Sequence, residues 1–134
     1  MIMKNEIEFR AWTWTSMLYK EGMYGLIFCE KGIGVHVAVW DQCYLMPDEI
    51  ELMQYTGLKD KNGRKIFEWD ILSIDFQGYH NYEVFKNHRK AKWELKEIWR
   101  EWFGAKNFNI KGITFTKDKE VIGNIYENPS LLTK

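Results

Sequence analysis

Four sets of side chains in this 134-residue chain have types and spacings that could do chemistry. Glu68, Asp70 and Asp75 lie close together, with His80 a few residues on, and these are the groups of an acid/base pair. On a strand, residues two apart share a face, which sets Asp75 opposite Asp70. Solvated carboxylates at strand ends are the competing reading. Cys29, His36 and Cys43 fall at equal spacing. Structural zinc takes four ligands with at least one close pair, so the sequence predicts no metal here and two small buried thiols instead. Lys86, His88, Arg89, Lys90 and Lys92 run just ahead of Trp93. Cations beside an aromatic ring suit a nucleic acid, whose bases can stack on the ring. Glu94, Glu97 and Glu101 interrupt that positive run, as the polar side of an amphipathic helix would. Trp99 and Trp102, with Trp93 nearby, form the fourth set, a candidate interface, because buried indoles anchor protein contacts.

No phosphate loop, dinucleotide fingerprint, zinc-protease helix or serine elbow is present. No catalytic residue is therefore assigned, and no cofactor.

The elements that must position these groups are mostly strands. Glu6 to Ala11 alternates charged and apolar residues, predicting a half-buried strand with Ile7, Phe9 and Ala11 inward. Trp12 to Thr15 continues extended. Leu26–Cys29 and Val35–Trp40 read as strands, with a loop or tight turn from Lys31 to Gly34. The strongest local signal is Lys59-Asp60-Lys61-Asn62-Gly63-Arg64, where Asp bonds its own backbone and Asn-Gly tolerates positive φ. It closes a hairpin between Leu52–Leu58 and Lys65–Phe67. Ile71–Phe76, Phe108–Ile110, Ile113–Thr116 and Glu120–Tyr126 follow as strands, and Asn128-Pro129 opens a tail turn.

Between them the period changes. Leu95, Ile98, Trp99 and Trp102 stand at i, i+3, i+4 and i+7, predicting one amphipathic helix over about 85–104, stopped by Gly104. The expected architecture is mainly β, one domain over 1–134, a small barrel or sandwich with that single central helix.

Composition bounds the function. Nineteen Lys+Arg balance nineteen Asp+Glu, which argues against a chain that binds polyanions with its whole surface. Hydrophobic residues reach 46% and aromatics 16%, so a sizeable core is available without disulfides. No apolar run approaches a membrane span, and the charged start lacks the apolar stretch of a signal peptide. A reduced, cytoplasmic location is expected.

Three stretches carry a resemblance. Ile7-Glu8-Phe9-Arg10-Ala11-Trp12, the run from Leu52 to Ile71, and Val121-Ile122-Gly123-Asn124-Ile125-Tyr126-Glu127-Asn128-Pro129 resemble, in order and spacing, the opening, central and closing motifs of the YopX family. The resemblance implies a mostly-β fold and a phage or prophage setting in a bacterial host. It implies no catalytic residues, and it leaves the middle of the chain as a variable insertion. The family's usual Glu-Gly-Asp step appears here as Glu68-Trp69-Asp70. Glycine at that step implies a permissive backbone or a close approach. Trp69 therefore means either an ordinary conformation or a neighbour that makes room for an indole. Read physically, Asp60–Gly63 is a turn, Gly57 and Gly123 mark a bulge or a backbone crossing, and Asn124 and Asn128 bond nearby backbone.

The expectation is a non-catalytic accessory protein that binds a host or phage protein or itself, through Trp93, Trp99 and Trp102. A small nucleic-acid-binding module using Lys86, Arg89, Lys90 and Lys92 stays open beside it.

Overall fold

Asp60 shows how the backbone is organised. Its Oδ1 accepts from the backbone N–H of Asn62 (2.9 Å) and of Arg64 (2.8 Å), which closes the turn, and Gly63 completes it at φ 81. The hairpin expected from Asp-Lys-Asn-Gly is therefore present. The structure, a computed structural model, describes residues 7–38, 44–74, 81–98, 110–113 and 118–132. The chain divides into two compact units, Met1–Tyr55 and Thr56–Lys134.

In the first unit, β1 (Phe9–Trp12) pairs antiparallel with β2 (Met17–Leu18) on one side. On its other side lies the first half of β6 (Glu51–Lys59), with Phe9 opposite Gln54. A separate antiparallel sheet holds β3 (Met23–Cys29), β4 (Gly32–Val37) and β5 (Tyr44–Leu45), in that order. Ala11, Val35 and Ile50 form the core, packed by Leu18, Met23, Leu26, Leu45 and Leu52. The expected phase of the opening segment is only half right. Ala11 is buried, but Ile7 is exposed, and Glu8 and Arg10 are buried. Glu8 turns inward because Lys20 supplies a counter-charge at 3.4 Å.

In the second unit, the far half of β6 neighbours β7 (Lys65–Phe67). A five-stranded sheet follows, built from β8 (Asp70–Ser73), β9 (Asn81–Asn87), β10 (Lys92–Glu97), β11 (Ile110–Gly112) and β12 (Glu120–Asn124). Its order is β11-β10-β9-β8-β12. Ile66, Leu72, Tyr82, Val84, Leu95, Ile113 and Val121 make its core.

The mainly-β expectation holds, with antiparallel sheets of which one curls as a half-barrel. The central helix does not form. Residues 85–98 belong to β9, its turn and β10, while 99–104 lie outside the described residues. Two-residue alternation wins there: Tyr82 and Val84 on β9, and Trp93 and Leu95 on β10, all turn to one core. Among the described residues no helix is long and apolar enough to cross a membrane.

Candidate binding surfaces

The residues of the sequence motifs are spent on backbone. Asp60 Oδ2 accepts from the buried N–H of Val121 (2.9 Å), and Lys61 N–H donates to the Lys119 carbonyl (3.0 Å). One carboxylate thus ties the β6–β7 turn to β12, sixty-one residues away. Asp70 is buried, and its Oδ2 accepts from Phe67 N–H at 2.8 Å. Of the proposed acid cluster, Asp70 is a turn staple, and Asp75 and His80 lie outside the described residues. Between Asp70 and Glu68 sits Trp69 at φ 66, the left-handed region, so its conformation is the one a glycine would take without strain.

The closing motif behaves the same way. Asn124 Oδ1 accepts from the N–H groups of Tyr126 (3.1 Å) and Glu127 (2.8 Å), and Asn124 N–H donates to Asn128 Oδ1 (3.2 Å). A β-carbon on Gly123 would lie 2.5 Å from that same Oδ1, and the ladder shifts register here as a bulge.

The basic-aromatic segment is a hairpin tip. Lys86 stands directly across from Trp93, with its ammonium 5.7 Å from the indole centroid. Trp93 is half-buried against the second unit's core, so it serves its own sheet. Trp99 and Trp102 lie outside the described residues. Asn87 organises the turn: its Oδ1 accepts from Arg89 N–H (3.1 Å) and Lys90 N–H (3.3 Å), and its Nδ2 donates to Glu94 Oε1 (2.9 Å). Ala91 completes the reversal at φ 51. The Lys90 ammonium reaches the same Glu94 oxygen at 3.8 Å. Glu94 is buried, and Asn87 and Lys90 are what hold it there. His88, Arg89, Lys90 and Lys92 are exposed. Further along β9, half-buried Glu83 has its carboxyl pushed up from the usual value by loss of water, partly offset by Lys96 across the ladder.

A second surface was not anticipated from the sequence. On the sheet β3-β4-β5, the His36 ring lies between Tyr24 (4.9 Å, tilted) and Tyr44 (4.6 Å, stacked). Tyr24 is 61% and Tyr44 51% exposed, and Phe28 nearby on β3 is 76% exposed. His36 Nε2 is buried and has no hydrogen-bond partner among the described residues. The alternation of Val35 and Val37 inward already sets His36 outward. What the sequence hides is the register His36↔Tyr44 and the bulge at Met23/Gly25 that brings Tyr24 alongside. Cys29, expected buried, is exposed, with Sγ donating to the Gly32 carbonyl, and Cys43 lies outside the described residues. Among the described residues no cluster of His, Cys, Asp and Glu could hold a metal ion. A cleft of about 260 Å³ opens among Phe9, Lys20, Met23 and Leu26, with the Glu8–Lys20 ion pair at its edge.

The family model described as YopX protein matches residues 8–133. The chain belongs to the YopX family. The crystal structure of protein yopX from Bacillus subtilis is similar in fold, with a TM-score of 0.61 at 20% identity over 96% of this chain and 98% of that one. The structure of protein EF1440 from Enterococcus faecalis matches with a TM-score of 0.45 at 24% identity, covering 96% and 99% of the two chains. No curated protein matches. The central and closing motifs named above thus supply the bonds that close the Asp60 turn, the Asp70 turn and the Gly123 bulge.

Proposed function

We propose that the chain is a non-catalytic protein that associates with a second copy of itself through the outer edge of β3. One observation carries this reading. Met23-Tyr24-Gly25-Leu26-Ile27-Phe28-Cys29 is a seven-residue edge strand without a charge, a proline or, among the described residues, a strand beyond it. An edge strand presents unpaired N–H and C=O groups, and natural proteins usually blunt such an edge with lysine, proline or brevity. Here the bulge at Tyr24 is the one such device, and it leaves Gly25–Cys29 regular.

A second copy suits this edge because the strand is uncharged for two residues on either side of Ile27. An antiparallel two-fold through Ile27 sets Leu26 of one copy opposite Phe28 of the other, and Gly25 opposite Cys29. Apolar and aromatic cross-strand pairs of this kind stabilise a ladder, and a two-fold contact must be self-complementary. Tyr24, Phe28 and Tyr44 supply exposed aromatic area around the ladder.

The non-catalytic part rests on Asp60 and Asp70, whose carboxylates are committed to backbone N–H groups. A phage or prophage setting in the bacterial cytoplasm is supported by the family resemblance.

Sedimentation across concentration tests the reading. The expected result is a dimer that Ile27→Lys converts to a folded monomer. With Cys29 and Cys43 changed to Ser, Ile27→Cys should form an intermolecular disulfide on mild oxidation, since a two-fold axis sets that residue against itself. A wild-type chain that stays monomeric at about 100 µM, a thousandfold above a typical 0.1 µM dimer constant of about −9.5 kcal/mol, would sink the proposal.

A further inference from the structure

We infer that the tip of the β9–β10 hairpin binds the phosphodiester backbone of duplex nucleic acid. This is independent of the β3 edge, which lies in the other unit.

The charge of the chain is unevenly divided, although its sum is zero. Met1–Tyr55 holds four Lys+Arg against eight Asp+Glu, and Thr56–Lys134 holds fifteen against eleven. Within the second unit, Lys86, Arg89, Lys90 and Lys92 gather on one turn with His88. The flanking strands stop short of it: β8 pairs with β9 over Asn81–Glu83, and β11 pairs with β10 over Glu94–Lys96. From Phe85 to Trp93 the described chain is therefore a two-stranded ribbon with a cationic end. A ribbon of two strands is a shape that the major groove of B-form DNA admits.

Two of the four cations are presented rather than consumed. Asn87 and the left-handed Ala91 hold the turn in shape, so little ordering is left to a ligand. Lys86 is engaged by the Trp93 ring and Lys90 shares buried Glu94, whereas Arg89 and Lys92 are exposed and have no ion pair among the described residues. The Arg89 guanidinium is a planar fork that fits phosphate oxygens two at a time.

Two features select a duplex backbone over other partners. Protein interfaces lean on buried aromatic anchors, and from Asn87 to Lys92 this tip offers only the methyl of Ala91 as apolar surface. Single strands are held by bases stacking on open rings, and Trp93 is half-buried under Lys86.

The full chain is titrated against fluorescent 20-base-pair DNA and RNA duplexes of random sequence, the matching single strand, and polyglutamate. Three phosphate contacts, from Arg89, Lys90 and Lys92, imply a fall of about fortyfold in affinity between 50 and 200 mM salt. In the double variant Arg89→Gln/Lys92→Gln one contact remains, and the fall should shrink to about three- to fourfold. That variant spares Lys86 and Lys90, so the supports of Trp93 and Glu94 stay, and an unchanged melting temperature confirms the fold. The DNA duplex should bind more tightly than the RNA duplex, whose deep, narrow major groove does not admit the ribbon, and the reverse order would refute the groove fit. No binding at 50 mM salt, an unaltered salt slope in the variant, tighter binding of the single strand, or equal binding of polyglutamate would each overturn the inference.

Discussion

Asp60→Asn is nearly isosteric, and the structure says it should be almost as damaging as Asp60→Ala. The native carboxylate accepts three backbone N–H bonds, two on Oδ1 from Asn62 and Arg64 and one on Oδ2 from Val121. An amide has one acceptor atom and one donor. If its oxygen serves the turn, its NH₂ faces the Val121 N–H; if it is flipped, the NH₂ faces the two turn N–H groups. No orientation satisfies both sides. The Val121 bond is buried, and a hydrogen bond to a charged acceptor contributes about 1.5–3 kcal/mol. Weakening the two turn bonds to neutral ones adds about 1 kcal/mol. The expected loss is therefore about 3 kcal/mol for Asn and a similar figure for Ala, whose exposed turn N–H groups can bond water instead. Urea unfolding followed by tryptophan fluorescence reads this directly: the midpoint should drop by about 1–3 M in both variants, with little change in slope. If Asp60→Asn kept the wild-type midpoint while Asp60→Ala lost it, the three-bond staple would be refuted, and the side chain would matter for its shape alone.

Further outcomes follow from single positions. Trp69→Gly should be more stable than Trp69→Ala by about 1 kcal/mol, reversing the usual order, because both remove the indole and only glycine is at ease at φ 66; thermal melts of the pair decide it. Gly123→Ala should cost about 1–3 kcal/mol by driving a methyl into Asn128, and adding Asn128→Ala should recover part of that, a non-additivity a double-mutant cycle measures. Glu83 has a raised pKa in the fold, so its protonated form is the one the fold prefers; its contribution is complete below the ordinary value of 4.5 and is lost as pH rises through the folded value. Glu83→Gln should flatten that decline in denaturation midpoints taken from pH 4 upward, and an unaltered profile would count against the burial argument.

What could be read from the sequence was what depends on neighbours in sequence. The Asp60 turn needs only Asp, Asn and Gly in order, and the bulge at Gly123 needs only Asn124 and Asn128 within reach. The helix was misread where the two periods overlap. Leu95 with Ile98 fits a turn of helix, while Trp93 with Leu95 fits a strand, and pairing with Tyr82 and Val84 decides for the strand. A strand six residues long offers too few inward positions to make its alternation stand out against a four-residue stripe. Buried Glu94 adds to the confusion, since a charge inside reads as a polar face until Asn87 and Lys90 are seen to satisfy it. Glu8 is the same case at longer range, with Lys20 its partner. The Tyr24–His36–Tyr44 stack was out of reach because three separate strands supply it, and their register is a tertiary fact.

The placement of the two proposed surfaces has a physical logic. Four side chains in the central and closing stretches give polar bonds to local or cross-strand structure: Asp60 and Asp70 to turns, Asn124 and Asn128 to the bulge. A residue so bound cannot also reach a partner without breaking the fold. The β3 edge and the β9–β10 tip lie outside those stretches, where a change of side chain alters the surface and leaves the staples intact. Arg89→Gln should therefore keep wild-type stability to within about 0.5 kcal/mol, as surface changes do. The motif residues hold the scaffold, and the segments between them can change without loosening those bonds.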